Sequence, residues 1–224
     1  MLEKFYNNGF CALENINLFL KPGELSFLTG HSGAGKTTML KLIMGLTAPT
    51  SGQLIVARSN VGKLSSSQLP FYRRNIGMIF QNPCLLAHRT VFDNVELPLI
   101  IAGFDEAERK RRVRAALDKV NLLHKEKNFP IALSTGEQQR VGIARAVVTK
   151  PNIILADEPT GNLDPVLASE IMKLFEAFRQ VGVCVLIATH DLALIARMQY
   201  RIITICSGHL ISIEDTQEII RDYA

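Results

Sequence analysis

Apolar positions along the chain follow two rhythms. Short continuous apolar runs at 25–28, 75–80, 152–156 and 183–188 have the length and flanking turn residues of strands buried on both faces. Between them, apolar residues return every three or four positions over 36–44, 105–123, 134–148 and 164 to about 180, which is the helical period. Asp105 and Asp164 stand where N-caps belong, and Pro165 occupies a first helical position. Val113, Leu117 and Val120 line one face of the 105–123 helix, with Glu106 and Glu108 in its first turn. Strand and helix in alternation predict an α/β chain with a mostly parallel core sheet. Apolar stretches at 5–6 and 16–20, around the turn signal Asn7-Asn8-Gly9, predict a small antiparallel sheet. Residues 53–57 read as a further strand, 59–68 as a loop or short helix, and 200–207 with 210–213 as a closing hairpin. Residues 84–104 are unusually apolar for a connection, interrupted by the turn residues Pro98 and Gly103. The pattern predicts one domain over 1–224, with a helical lobe at 84–148 inserted between core halves at 1–83 and 149–224.

Chemistry concentrates at the ends of the predicted strands. After the first buried run comes Gly30-His31-Ser32-Gly33-Ala34-Gly35-Lys36-Thr37, or G-x-x-x-x-G-K-T, a phosphate-binding loop in its strand–loop–helix setting. Glycines let the backbone curl so that several N–H groups face one anion, and the following helix adds its N-terminal dipole. Lys36 supplies a cation for the outer phosphates and Thr37 a hydroxyl for Mg²⁺. Asp157-Glu158 closes the 152–156 strand, where a first carboxylate can hold a metal and a second can activate water. Gln81 follows the 75–80 strand, within reach of a metal or an attacking water, although a plain loop glutamine fits as well. His190 follows the 183–188 strand and reads as a phosphate sensor, a cap or a surface residue. Ser134 with Glu137 forms an S-x-x-E capping box. Tyr6 is either an adenine-stacking ring or an ordinary strand aromatic. The cluster Arg109-Lys110-Arg111-Arg112 with Arg114 reads as a solvated helix face.

Composition narrows the setting. A net charge of +4 suits an anionic ligand or a membrane surface but is too small to argue for nucleic acid. Apolar residues at 47% and charged residues at 21% exclude a disordered chain. The four cysteines form no C-x-x-C pair, which points to core residues in a reducing compartment. No apolar run reaches the roughly 18 residues of a membrane span, and Glu3, Lys4, Asn7 and Asn8 stand where a secretory signal is apolar. A cytoplasmic protein is expected, with any membrane span supplied by another chain.

In this order the motifs resemble those of the ATP-binding subunits of ABC transporters, over nearly the whole chain. Residues 30–37 are similar to the family's Walker A and Gln81 to its Q-loop. Leu133-Ser134-Thr135-Gly136-Glu137 is similar to the signature L-S-G-G-Q, and 153–158 to Walker B. Asn162-Leu163-Asp164 is similar to the D-loop and His190 to the switch histidine, and Tyr6 falls where the family stacks adenine. The resemblance implies a P-loop cassette fold and two chains closing head to tail over two ATP. Each ATP would lie between Gly30, His31, Ser32, Gly33, Ala34, Gly35, Lys36, Thr37 and Thr38 of one chain and Ser134, Thr135, Gly136 and Glu137 of the other. It implies Mg²⁺ held by Thr37, Gln81 and Asp157, water activation by Glu158, and charge stabilisation by Lys36 and His190. It also implies an integral membrane partner whose helix docks along 84–104, placing the protein on the cytoplasmic face of the bacterial inner membrane. The wording at 27–36, 74–81, 94–103, 127–130 and 136–148 resembles the family's cell-division branch; lipoprotein-release and macrolide-export ATPases share much of it. Thr135 stands where the signature usually has its first glycine, which leaves open an ATP-gated clamp with negligible hydrolysis. A soluble ABC protein of DNA repair or translation usually carries a coiled-coil insertion or two cassettes, and this chain has neither. It begins several residues short of the usual first strand, so the antiparallel sheet is expected to lack an edge or the start to lie upstream.

Overall fold

Strands β1 (Leu2–Phe5) and β2 (Cys11–Ile16) pair antiparallel at the start of the chain. The computed structural model describes residues 1–6, 9–161 and 163–214, so Asn7 and Asn8 of the first turn signal and Asn162 lie outside the described residues. Strand β2 ends at Ile16, where the sequence suggested a strand would begin. Asn15 takes a left-handed φ of 54°, and residues 17–20 run on without strand pairing. Leu18 and Leu20 are apolar because they pack against the core, not because they pair. Strand β3 (Leu25–Thr29) is buried throughout and feeds helix α1 (Lys36–Ile43).

Residues 53–68 hold more strand than expected: β4 (Ile55–Val56) pairs with β5 (Ser59–Asn60). Helix α2 (Leu69–Arg73), with proline in its first turn, precedes β6 (Ile76–Ile79). Pro98 is not a turn residue; it lies inside α3 (Val91–Ala102), which starts with a Thr90–Asp93 capping box and ends at left-handed Gly103. Val91, Val95 and Leu99, four residues apart, are fully buried, and that packed stripe holds the helix across the N–H that Pro98 lacks. Helix α4 (Glu106–Lys119) is capped by Asp105 as expected and stops early because Asn121 turns left-handed. Next come α5 (Thr135–Val147), β7 (Ile153–Asp157), α6 (Pro165–Gln180) and β8 (Cys184–Ala188). Helix α7 (Leu192–Met198), not anticipated, is capped by Asp191, whose carboxylate accepts from Leu194 N–H. Strands β9 (Arg201–Cys206) and β10 (His209–Glu214) form the closing hairpin.

Among the described residues six strands make the central sheet, in the order β10-β9-β3-β8-β7-β6. All neighbours run parallel except β9 and β10. Alternation along the strands divides the core into two layers. Phe27, Ile154, Ala156, Val185 and Ile187 face the layer built with α3, α4, α5 and α6. Leu28, Leu155, Leu186 and Ala188 face the layer that holds α1 and β2. Pairing Leu28 with Ala188, and Asp157 with Ala188, sets the carboxyl ends of β3, β7 and β8 side by side. In open parallel sheets that edge is where ligands bind.

Candidate nucleotide and hydrolysis site

The loop after β3 is fixed from below. Gly30 has φ 146° and Gly35 φ 116°. A Cβ at Gly30 would collide with the Ile205 carbonyl, and one at Gly35 would lie 2.7 Å from Ala12 O. Both glycines are therefore required by conformation and by close approach. Gly208 N–H donates to Ala34 O (3.0 Å), tying the β9–β10 turn to the loop. Lys36 Nζ donates to Gly30 O (2.6 Å) and His31 O (3.1 Å), which places a cation inside the curl. His31, Ser32, Gly33 and Thr37 are exposed along the outer rim, while Ala34 packs beneath it. Tyr6 Oη lies 3.3 Å from Thr38 Oγ1, so the exposed ring stands beside the start of α1. Lys4 Nζ sits 5.3 Å from the ring centroid.

Across from the loop, Thr37 Oγ1 donates to Asp157 Oδ2 at 3.0 Å. Burial, and then the neighbouring Glu158 charge, push the Asp157 carboxyl above its ordinary value; a cation beside it would favour the ionised form. A hydroxyl and a carboxylate side by side are hard oxygen donors that fit Mg²⁺. Among the described residues no three His, Cys, Asp or Glu side chains gather to hold a metal ion.

Glu158 has a left-handed φ of 47°, and its N–H donates to Ala188 O (2.8 Å). Its Oε1 accepts from His190 N–H (3.1 Å) and lies 2.6 Å from His190 Nδ1; its Oε2 accepts from Thr189 Oγ1 (3.0 Å). The carboxylate is mostly buried, while His190 is 71% exposed. A Cβ built on Gly161 would lie 3.5 Å from Gln81 Nε2 and 3.6 Å from Glu158 Cβ, so Gln81 and Glu158 converge on one point.

The signature residues stand on α5. Ser134 caps the helix and Glu137 closes the capping box, as the S-x-x-E spacing indicated. Glu137 is held below the usual carboxylate range by Lys125 (2.6 Å) and by the Ser134 N–H. Thr135 is exposed at the first helical position. Gly136 is buried, and a Cβ there would collide with Leu167 of α6. Gly136 thus packs on α6, whereas Lys36, Thr37, Asp157, Glu158, His190 and Gln81 gather at the strand ends.

The family model described as ABC transporter matches residues 13–161. The cell division ATP-binding protein FtsE of Escherichia coli (strain K12) is 57% identical over 93% of this chain and 94% of its own length. The chain belongs to the FtsE family of ABC transporter ATP-binding cassettes. FtsE of Bacillus subtilis (strain 168) is 42% identical over 96% of this chain and 94% of its own. A dimeric, post-hydrolysis structure of the ATP-binding cassette MJ0796, bound to ADP and Pi, superposes with a TM-score of 0.88 at 36% identity, covering 96% of each chain.

Within this FtsE-family cassette, motif spacing left three anchoring residues without a role. Buried Gln139 donates to Phe80 O (3.1 Å). Arg145 donates to the carbonyls of Pro83 and Cys84, so α5 grips the backbone on both sides of Gln81. The Thr189 hydroxyl donates to Glu158 (3.0 Å). Each contact joins segments far apart in sequence, which no local pattern records.

Proposed function

We propose that the protein hydrolyses ATP to ADP and phosphate in a head-to-tail pair of its own copies. The resulting movement passes to an FtsX-like integral membrane protein, which controls peptidoglycan hydrolysis at the division septum from the cytoplasmic face of the inner membrane. The observation that carries the ATPase reading is Glu158, fixed by Thr189 and His190 beside the Thr37–Asp157 pair. The amides of residues 30–37 and the Lys36 ammonium bind the phosphates, and Tyr6 stacks on the adenine. Glu158 orients the attacking water and takes its proton. His190 and Lys36 stabilise charge on the outer phosphate. Thr37, Asp157 and Gln81 would hold Mg²⁺, directly or through water, and the ion would supply charge neutralisation on the phosphate oxygens. The N–H groups at the start of α5, around Ser134, Thr135, Gly136 and Glu137, serve the ATP bound by the other copy.

No helix among the described residues is long and apolar enough to cross a membrane, in keeping with a partner that supplies the spans. Residues 84–148 act as the moving lobe. Its helices α3, α4 and α5 share one core layer, and α5 grips the segment around Gln81.

The test is Glu158→Gln used as bait, with ATP, in detergent-solubilised native membranes. Turnover is expected to fall about 10²- to 10⁴-fold while ATP binding persists. A few-span membrane protein accompanied by division proteins is the expected catch. Unchanged turnover would remove Glu158 from the chemistry. Recovery of a lipoprotein or drug exporter subunit would move the function to transport.

A further inference from the structure

Thr189 is fully buried at the end of β8, one residue before His190. Its N–H and its hydroxyl are both committed. Its N–H donates to Leu28 O at 3.0 Å, fixing it against β3. Its hydroxyl oxygen accepts from Asp191 N–H at 3.1 Å, and that amide has only a proton to offer. The hydroxyl proton is thereby left to donate to Glu158 Oε2 at 3.0 Å. The direction of this bond is set by the backbone and does not depend on which nitrogen of His190 carries its proton.

The Glu158 backbone needs such a hold. Its left-handed φ of 47° is unfavourable for a residue with a side chain. His190, the other side chain on the carboxylate, is largely exposed to solvent. Thr189 is the buried donor of the pair.

We propose that Thr189 is a positioning residue for ATP hydrolysis: its hydroxyl fixes the Glu158 carboxylate in the orientation from which it handles the attacking water. This rests on the ATPase reading above. Exchange for valine keeps the shape and removes the donor. Thr189→Val is expected to lower kcat roughly 10- to 100-fold, the effect of losing one hydrogen bond to a charged group, with KM almost unchanged. Thr189→Ser retains the hydroxyl and is expected to restore most of the rate. A second readout needs no turnover: the lifetime of the ATP-bound dimer in size-exclusion chromatography. If Thr189 acts through Glu158, Thr189→Val is expected to lengthen that lifetime, in the same direction as Glu158→Gln. A merely structural role would instead lower the melting temperature and weaken dimer formation. Thr189→Ala, which cannot overfill the site, takes the place of valine should that variant melt early.

Wild-type kcat in the folded valine or alanine variant would overturn the proposal. So would a dimer lifetime no longer than that of wild type, or failure of serine to restore the rate. Absence of ATP turnover in the wild-type protein would overturn the ATPase reading itself, and this inference with it.

Discussion

Lys36 donates to two carbonyls of its own loop, so its ammonium already occupies the curl that receives phosphate. Lys36→Ala removes a charged donor worth about 1.5–3 kcal/mol, and ATP affinity is expected to weaken by about 10- to 150-fold. Titration calorimetry checks this, and near-wild-type affinity would remove Lys36 from the phosphate site. A second residue-scale effect lies across the sheet. Burial raises the Glu24 carboxyl, but the Ser26 hydroxyl, the Lys21 N–H and Arg201 together leave it below its ordinary value. A depressed folded pKa contributes stability that is present above the unfolded value of about 4.3 and lost as pH falls through the lower folded value. Melting curves between pH 6 and pH 3 should therefore fall less steeply for Glu24→Gln than for wild type; equal slopes would contradict the assignment. Residues such as Lys36, Thr37 and Asp157 were legible because their chemistry is declared by neighbours in sequence. Thr189, Gln139 and Arg145 were not, because each acts on a carboxylate or carbonyl from another segment.

At the scale of an element, α5 shows how one short motif serves two ends. Ser134 caps it, and Ser134→Ala is expected to cost about 1 kcal/mol, or about 2–4 °C of melting temperature in a chain of this size. Two residues on, Gly136 accepts the Leu167 side chain against its backbone. Gly136→Ala is expected to cost about 1–3 kcal/mol by displacing Leu167, measurable by chemical denaturation. A loss well below that range would mean that α6 yields easily. Helix starts were the most legible elements, since Asp105, Ser134 and Asp164 cap where their side chains announced. Pro98 misled because tertiary packing of Val91, Val95 and Leu99 overrides a local breaker. Helix α7 is announced only by its cap Asp191, because Leu192–Met198 is too short for the helical period to show.

For the whole molecule, the parallel sheet followed from four apolar runs separated by helical patterns, but the strand order did not. Which strand lies beside β3 depends on connections that periodicity leaves silent. The apolar stretch 84–104 was read as one groove for a partner helix, and the structure divides it. Val91, Val95 and Leu99 belong to the core, while Leu86, Ile100 and Ile101 are exposed. Phe71, also exposed, lies under Arg74, which donates to Ile101 O. A membrane partner is therefore expected on this outer face. Ile101→Asp should abolish capture of the partner while leaving ATP affinity within about twofold of wild type; intact capture would move the partner elsewhere. A last consequence concerns time. The phosphate loop is encoded near the beginning of the chain, yet β3 pairs with β8 and β9, and the loop itself rests on Ile205 and Gly208. A ribosome adding about 5–20 residues per second completes the loop roughly 10–30 s before it makes its support. The nascent protein thus carries an unfinished ATP site through most of its synthesis, and nucleotide binding is expected only after β9 and β10 have emerged.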